Sequence, residues 1–155
     1  FKPFKVGDAV TAGGVTGSVT EVGIFNSVFT TGDNQKVIVP NGTITSGSIV
    51  NVNANDTRRV DLVVGISYDD DIKKTKDVLN EIIKSNDKVL MDKGVTVAVS
   101  ELADSSVNFV VRVWVNTPNY WDVKFDLTEK IKITFDKEGI CIPFPQQDVH
   151  HYNKI

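Results

Sequence analysis

Val107, Phe109, Val111, Val113 and Val115 occupy every second position of one stretch of this chain. Residues two apart on a strand share a face, so Ser105 to Val115 predicts a long strand with one continuously apolar side. Such a strand needs partners in a sheet and a layer that covers its apolar side. The neighbouring sequence offers both. Val60, Leu62, Val64, Ile66 and Tyr68 repeat the alternation, and Val95, Val97 and Val99 repeat it again. Between them the period changes. Ile72 to Lys84 reads as a helix with Ile72, Leu79, Ile82 and Ile83 on one side. Trp121 to Lys137 reads as a second, with Val123, Leu127, Ile131 and Phe135 in near-helical register.

The ends of these helices are marked. Asp69-Asp70-Asp71 precedes the first, where an N-cap and the helix dipole favour acids; a cap is worth ~1 kcal/mol. Gly139 stands where the second should stop. Ile140-Cys141-Ile142 reads as a final short strand before Pro143 and Pro145. The order β-α-β-β-α-β over residues 57–145 is the split βαβ, ferredoxin-like arrangement. Both helices then cover one face of the sheet. The other carries Asp61, Val63, Gly65, Ala98, Val110, Arg112 and Trp114, a set too apolar for an ordinary wet face. It reads as a contact face, either for oligomerisation or for packing against a preceding domain.

Residues 4–54 read as that domain, and as all-β. Ala9-Val10-Thr11, Val15 to Ile24, Ser27 to Thr31, Gln35 to Val39 and Ser48 to Val52 are the candidate strands. Gly13-Gly14 and Gly32-Asp33-Asn34 are turn signals, and Gly17 suggests a bulge or bend. Short strands with glycines at the bends suggest a small, strongly curved barrel. Pro40 has no N–H to continue a ladder, and Asn41-Gly42 tolerates positive φ, so Pro40-Asn41-Gly42 reads as a tight change of direction. Asn53-Ala54-Asn55-Asp56 is a polar linker, which closes the first domain at residue 56. Residues 146–155 form a detached tail. As a strand it would point Asp148, His150, Tyr152 and Lys154 one way and Val149, His151, Asn153 and Ile155 the other. Such a strand must pair with another chain or with the rest of this one.

Composition narrows the chemistry. Residues 1–56 carry 3 basic and 4 acidic side chains, residues 57–145 carry 13 and 15, and the tail carries one of each. No segment has the basic footprint of a nucleic-acid binder. The single cysteine, Cys141, excludes an internal disulfide and reads as a buried, inert thiol. Gly14-Val15-Thr16-Gly17 has strands rather than helices at its flanks, so it is a turn and not an RNA-binding loop. Asp69-Asp70-Asp71 lacks the alternating ligands of a calcium loop, and helix capping is the better reading. His150 and His151 point to opposite faces of a strand and cannot chelate together within one chain. No nucleophile has a supporting base, so neither catalysis, a metal nor a cofactor is expected. No apolar run approaches the ~20 residues of a membrane helix. The chain starts at Phe1 and its one methionine is Met91, so the expectation is a piece of a longer protein.

Several segments, taken in order, carry a resemblance. They are Phe4-Lys5-Val6-Gly7-Asp8, Gly13-Gly14-Val15-Thr16-Gly17-Ser18-Val19, Ile24-Phe25, Val39-Pro40-Asn41-Gly42 and Tyr68-Asp69-Asp70-Asp71-Ile72. Asn108-Phe109-Val110-Val111-Arg112-Val113-Trp114 and Gly139-Ile140-Cys141-Ile142-Pro143-Phe144-Pro145-Gln146 follow. Over its whole length the chain resembles the MscS family of small-conductance mechanosensitive channels.

The resemblance implies a cytoplasmic cage below a membrane pore. Each subunit would contribute an Sm-like β domain (1–56), a ferredoxin-like α/β domain (57–145) and a C-terminal strand (146–155) for an inter-subunit barrel. The implied partners are the other copies of a homo-heptamer, the protein's own N-terminal transmembrane helices, and permeating ions and small solutes. The implied function is release of solutes under membrane tension in hypo-osmotic shock, with the cage as permeation filter and scaffold. Phe25, Pro40, Asn41 and Gly42 would lie near the end of the pore helix. Val63, Val110 and Trp114 would serve a subunit or domain contact, and Asp148, Val149, His150, His151 and Tyr152 the basal barrel. The competing readings are an RNA-binding Sm-like ring, against which the low basic count speaks, and a soluble oligomeric ligand-binding module. A ring of seven by mass, with membrane helices upstream, separates the channel reading from the module.

Overall fold

A computed structural model describes residues 3–154. Phe1, Lys2 and Ile155, at the ends of the expected first domain and tail, lie outside the described residues. The chain divides into two compact units, Phe1–Asp56 and Thr57–Ile155.

The first unit is one antiparallel sheet of β1 (Ala9–Ala12), β2 (Val15–Val22), β3 (Asn26–Thr30), β4 (Lys36–Pro40) and β5 (Val50–Asn51). Its order is β4-β3-β2-β1-β5, so β4 and β5 are edges and the sheet does not close into a barrel. The expected strand from Ser48 to Val52 shrinks to two residues. Gly13 and Gly14 make the β1–β2 turn with φ of 59° and 77°, as a two-residue hairpin requires. The bend expected at Gly17 is elsewhere: the register slips between Val19 and Glu21. Gly17 instead allows close approach, because a Cβ there would stand 2.6 Å from the Thr30 carbonyl oxygen. Phe4, Val10, Ala12, Val19, Phe29, Val39 and Ile44 form the core.

Pro40-Asn41-Gly42 is not a positive-φ turn. Pro40 ends β4 and caps a short helix, α1 (Asn41–Thr45), and neither Asn41 nor Gly42 has positive φ. Ile44 explains the choice. One helical turn carries it into the core, where it is buried, and full burial of such a side chain contributes about 1.5–3 kcal/mol.

The second unit is a three-stranded antiparallel sheet covered by two helices. β6 (Thr57–Ile66), β7 (Val95–Leu102) and β8 (Val107–Asn116) lie in the order β6-β8-β7. Phe109, Val111, Val113 and Val115 of β8 are fully buried against α2 (Ile72–Lys84) and α3 (Tyr120–Glu138). Asp71 caps α2 by accepting from the Lys74 N–H at 2.7 Å. The buried face of α2 is Thr75, Leu79, Ile82 and Ile83; Ile72, expected there, is exposed at the first turn. Gly139 ends α3 in the left-handed conformation, and the Ile140 N–H closes back on the Phe135 carbonyl at 2.9 Å.

The sixth element expected, a strand at Ile140–Ile142, is absent. The segment does run beside the end of β6, where the Ser67 N–H donates to the Cys141 carbonyl at 3.0 Å. Alternate residues of a strand face the same neighbour, so Cys141, Pro143 and Pro145 would all turn toward β6. Two of these three have no N–H, and no ladder can grow. Cys141 is exposed, not buried: its neighbour Ile140 is the residue that enters the core, and successive residues of extended chain face opposite ways. Residues 146–154 have no regular structure in the single chain.

Candidate functional site

In the β unit the side chain of Asn41 organises a loop. Its Nδ2 donates to the carbonyls of Gly23 at 2.9 Å and Ile24 at 3.0 Å, and its Oδ1 accepts from the buried Ser27 hydroxyl at 2.8 Å. Its backbone N–H donates to the Phe25 carbonyl at 2.8 Å. Three carbonyls of the Gly23–Phe25 loop are thereby satisfied from one residue. The loop has no remaining demand on the core, and its side chains turn outward. Ile24 is 88% exposed and Phe25 is 80% exposed, which is unusual for residues of their size. Pro40 stands opposite Asn26 at the end of the edge strand β4. Gly42 has open space around its Cβ position. Phe25, Pro40, Asn41 and Gly42 are thus brought together on the surface of one unit. An apolar groove of about 410 Å³ lies beside them, lined by Phe4, Val6, Val22, Asn41 and Ile44.

The N-terminal side of the same unit is fastened by Asp8. Its carboxylate accepts from Asn51 Nδ2 at 2.9 Å and from the Lys5 N–H at 3.1 Å. The same Asn51 amide reaches the Pro3 carbonyl at 3.3 Å. The hydrogen bond from Asn51, then that from the Lys5 backbone, hold the Asp8 carboxyl below its usual pKa; the Lys5 charge adds to them. Nothing in the residue order pointed to this pairing of positions 8 and 51, which depends on β1 lying beside β5.

In the α/β unit the helix-free face is ordered in rows. Val63 stands opposite Val110, which stands opposite Ala98; Asp61, Arg112 and Thr96 form the next row, and Arg59 faces Trp114. The Arg59 guanidinium makes a two-pronged contact with Asp61, at 2.6 and 2.9 Å. Val63 is 70% exposed, while Val110 and Trp114 are half-buried. The three expected contact residues therefore share one face.

The tail residues Asp148, Val149, His150, His151 and Tyr152 are all exposed. They converge on no other candidate residue. Among the described residues no group of His, Cys, Asp or Glu is arranged to hold a metal ion. No helix of the described residues is long and apolar enough to cross a membrane.

Two side-chain tethers were missed by sequence reasoning. Asp70 accepts from the N–H groups of both Ser67 and Cys141, at 3.1 and 2.9 Å. Ser105 accepts from the Gln146 N–H at 3.1 Å. Both tie the segment after α3 to the sheet. Three consecutive aspartates gave no sign that the middle one has a separate task.

Comparison with known proteins addresses the whole chain. Residues 60–142 match the family described as mechanosensitive ion channel MscS, C-terminal. Residues 1–54 match the mechanosensitive ion channel beta-domain. The small-conductance mechanosensitive channel of Edwardsiella ictaluri is 47% identical over 155 residues, covering 100% of this chain and 54% of that protein. An uncharacterized MscS family protein of Synechocystis is 41% identical over 150 residues, covering 97% of this chain and 51% of that protein. The crystal structure of Helicobacter pylori MscS in its closed state superposes with a TM-score of 0.91 at 29% identity, over 98% of this chain and 60% of that chain. The chain spans about half the length of the curated relatives it matches. It belongs to the MscS family of mechanosensitive ion channels.

Proposed function

We propose that this chain is the cytoplasmic vestibule of a mechanosensitive channel that opens under membrane tension and releases ions and small solutes in hypo-osmotic shock. The observation that carries the reading is the pair of family matches, which together span nearly the whole chain in the order β domain, then C-terminal domain. The family is one of channels, not a class of enzyme. The vestibule would be a homo-heptameric ring on the cytoplasmic side of the cell membrane. It would act as a scaffold and as a size and charge filter, as rings of polar groups do in other channels.

Each site has a role in this reading. The outward-facing Phe25, with Pro40, Asn41 and Gly42, meets the pore-bearing part of the longer protein. The apolar groove and exposed Ile24 support a contact there, because exposed apolar surface of this kind is costly when left bare. Val63, Val110 and Trp114 form a subunit or domain contact. Asp148 to Tyr152 supply one strand of a barrel that closes only when the copies assemble, which removes every strand edge.

The test is a rescue experiment with the longer protein that carries this chain. Cells stripped of their own tension-gated channels are given that gene and subjected to osmotic downshock, and membrane patches are recorded under suction. Survival with tension-dependent currents is the expected result. Full expression at the membrane without either would overturn the reading. Light scattering on the chain alone should give the mass of a ring of seven.

A further inference from the structure

The segment joining α3 to the tail has lost the ordinary means of attachment. Pro143 and Pro145 remove the donors that would pair it with β6, so beyond the single backbone bond from the Ser67 N–H to the Cys141 carbonyl, side chains hold it. At its start the Asp70 carboxylate binds the Cys141 N–H at 2.9 Å, and the same oxygen binds the Ser67 N–H at 3.1 Å. One carboxylate oxygen thus joins the end of β6 to the segment. At its far end the Ser105 hydroxyl binds the Gln146 N–H at 3.1 Å. Asp70 sits in the turn after β6 and Ser105 in the turn between β7 and β8. These two turns are themselves joined, because the Tyr68 hydroxyl donates to the Ala103 carbonyl at 2.5 Å.

Two fixed posts and a stiff span define a direction. Between Cys141 and Gln146, two of the four residues are prolines with φ locked near −65°, and proline-rich chain behaves as a semi-rigid spacer. The exposed Phe144 shows that the span is not held by burial. We propose that Asp70 and Ser105 are positioning residues for the tail: they hold residues 141–146 as a rigid spoke, so that the strand beyond it points toward its counterparts in the other copies. The proposal rests on the assembly reading above. Pointing matters because the chance of strands meeting within a ring depends on where their roots are held.

The experiment uses the full chain and compares Asp70→Ala, Ser105→Ala and the double variant with Asp70→Asn and Asp69→Ala. Asparagine keeps one oxygen for the Cys141 N–H, and the Asp69 side chain has no bond to the segment. Amide hydrogen exchange at Cys141 and Gln146 reads the posts. Native mass spectrometry over a dilution series reads assembly, and the unfolding midpoint reads the fold. In the double variant, exchange at both amides should rise about tenfold, and the concentration at which the assembly dissociates should rise about tenfold as well. The midpoint should hold, Asp70→Asn should recover most of the effect, and Asp69→Ala should match wild type. Unchanged exchange overturns the proposal. So does faster exchange with unaltered assembly, or a loss of assembly that only follows a fall in the midpoint. A wild-type chain that is monomeric at every concentration overturns the assembly reading itself, whereas a wild-type assembly matched by the double variant overturns the positioning role alone.

Discussion

Ser27, buried in β3, donates its hydroxyl proton to Asn41 Oδ1 at 2.8 Å, across the corner where β4 becomes α1. The bond couples a core position to the loop that presents Phe25. Asn41→Ala removes the acceptor of a buried hydroxyl and two donors to the Gly23–Phe25 loop. Leaving a buried polar group unsatisfied costs about 1–3 kcal/mol. Urea unfolding of the β unit should show a loss of this size, with the loop becoming the first site of proteolysis. Ser27→Ala should cost less, because it removes the buried hydroxyl together with its need.

Gly42 and Gly17 should respond in opposite ways to a single methyl group. Gly42 lies in α1 with ordinary helical backbone and open space at its Cβ position, so Gly42→Ala should stabilise the unit by up to ~1 kcal/mol. Gly17→Ala would drive a Cβ to 2.6 Å from the Thr30 carbonyl oxygen, and such overpacking costs about 1–3 kcal/mol. Thermal unfolding of the two variants checks the order. If Gly42→Ala also alters gating in patch recordings of the full channel, the cause lies in a contact outside this unit, because the unit itself has room.

Asp8 should make the β unit sensitive to acid. Its folded pKa lies below the usual 3.8, chiefly through the Asn51 bond. The stability it contributes is fully present above the unfolded value, near pH 4, and is lost as pH falls through the folded value. Unfolding midpoints measured from pH 6 to pH 2 should therefore drop for wild type below about pH 4, with a shallower drop for Asp8→Asn. Parallel curves for the two proteins would show that Asp8 contributes no such linkage.

Two residues of the same sheet should separate folding from contact. Phe109 is fully buried, and Phe109→Ala should destabilise the α/β unit by about 3–5 kcal/mol. Val63, on the opposite face and 70% exposed, should tolerate Val63→Lys within about 0.5 kcal/mol. Its effect should fall on assembly. A lower mass by light scattering with an unchanged unfolding midpoint is the expected pair of results.

The parts of this fold written in periodicity were readable from the sequence. α2 begins and ends at the residues anticipated, Ile72 and Lys84, because the 3.6-residue pattern and the Asp71 cap agree. β8 and the sharing of one face by Val63, Val110 and Trp114 followed from strict alternation. What failed depends on distant partners. Pro40-Asn41-Gly42 has the composition of a turn, and only the core position awaiting Ile44 makes it helical. Ile140-Cys141-Ile142 has the composition of a strand, and only the prolines beyond it, facing β6, prevent a ladder. Asp70 is indistinguishable from its neighbours until Cys141 arrives beside it. Of the candidate site, the exposure of Phe25 was not legible in the sequence, since a lone aromatic between strands more often enters a core.

The prolines at 143 and 145 have a consequence for which pairing wins. A strand tethered to its own sheet enjoys a local concentration in the millimolar range, far above that of any strand on a separate molecule. Given a full set of donors, the chain after α3 would zip onto β6 and be consumed there. By spoiling that register, the two prolines remove the internal competitor before it can act. The end of the chain beyond Gln146 is thereby left outside its own sheet.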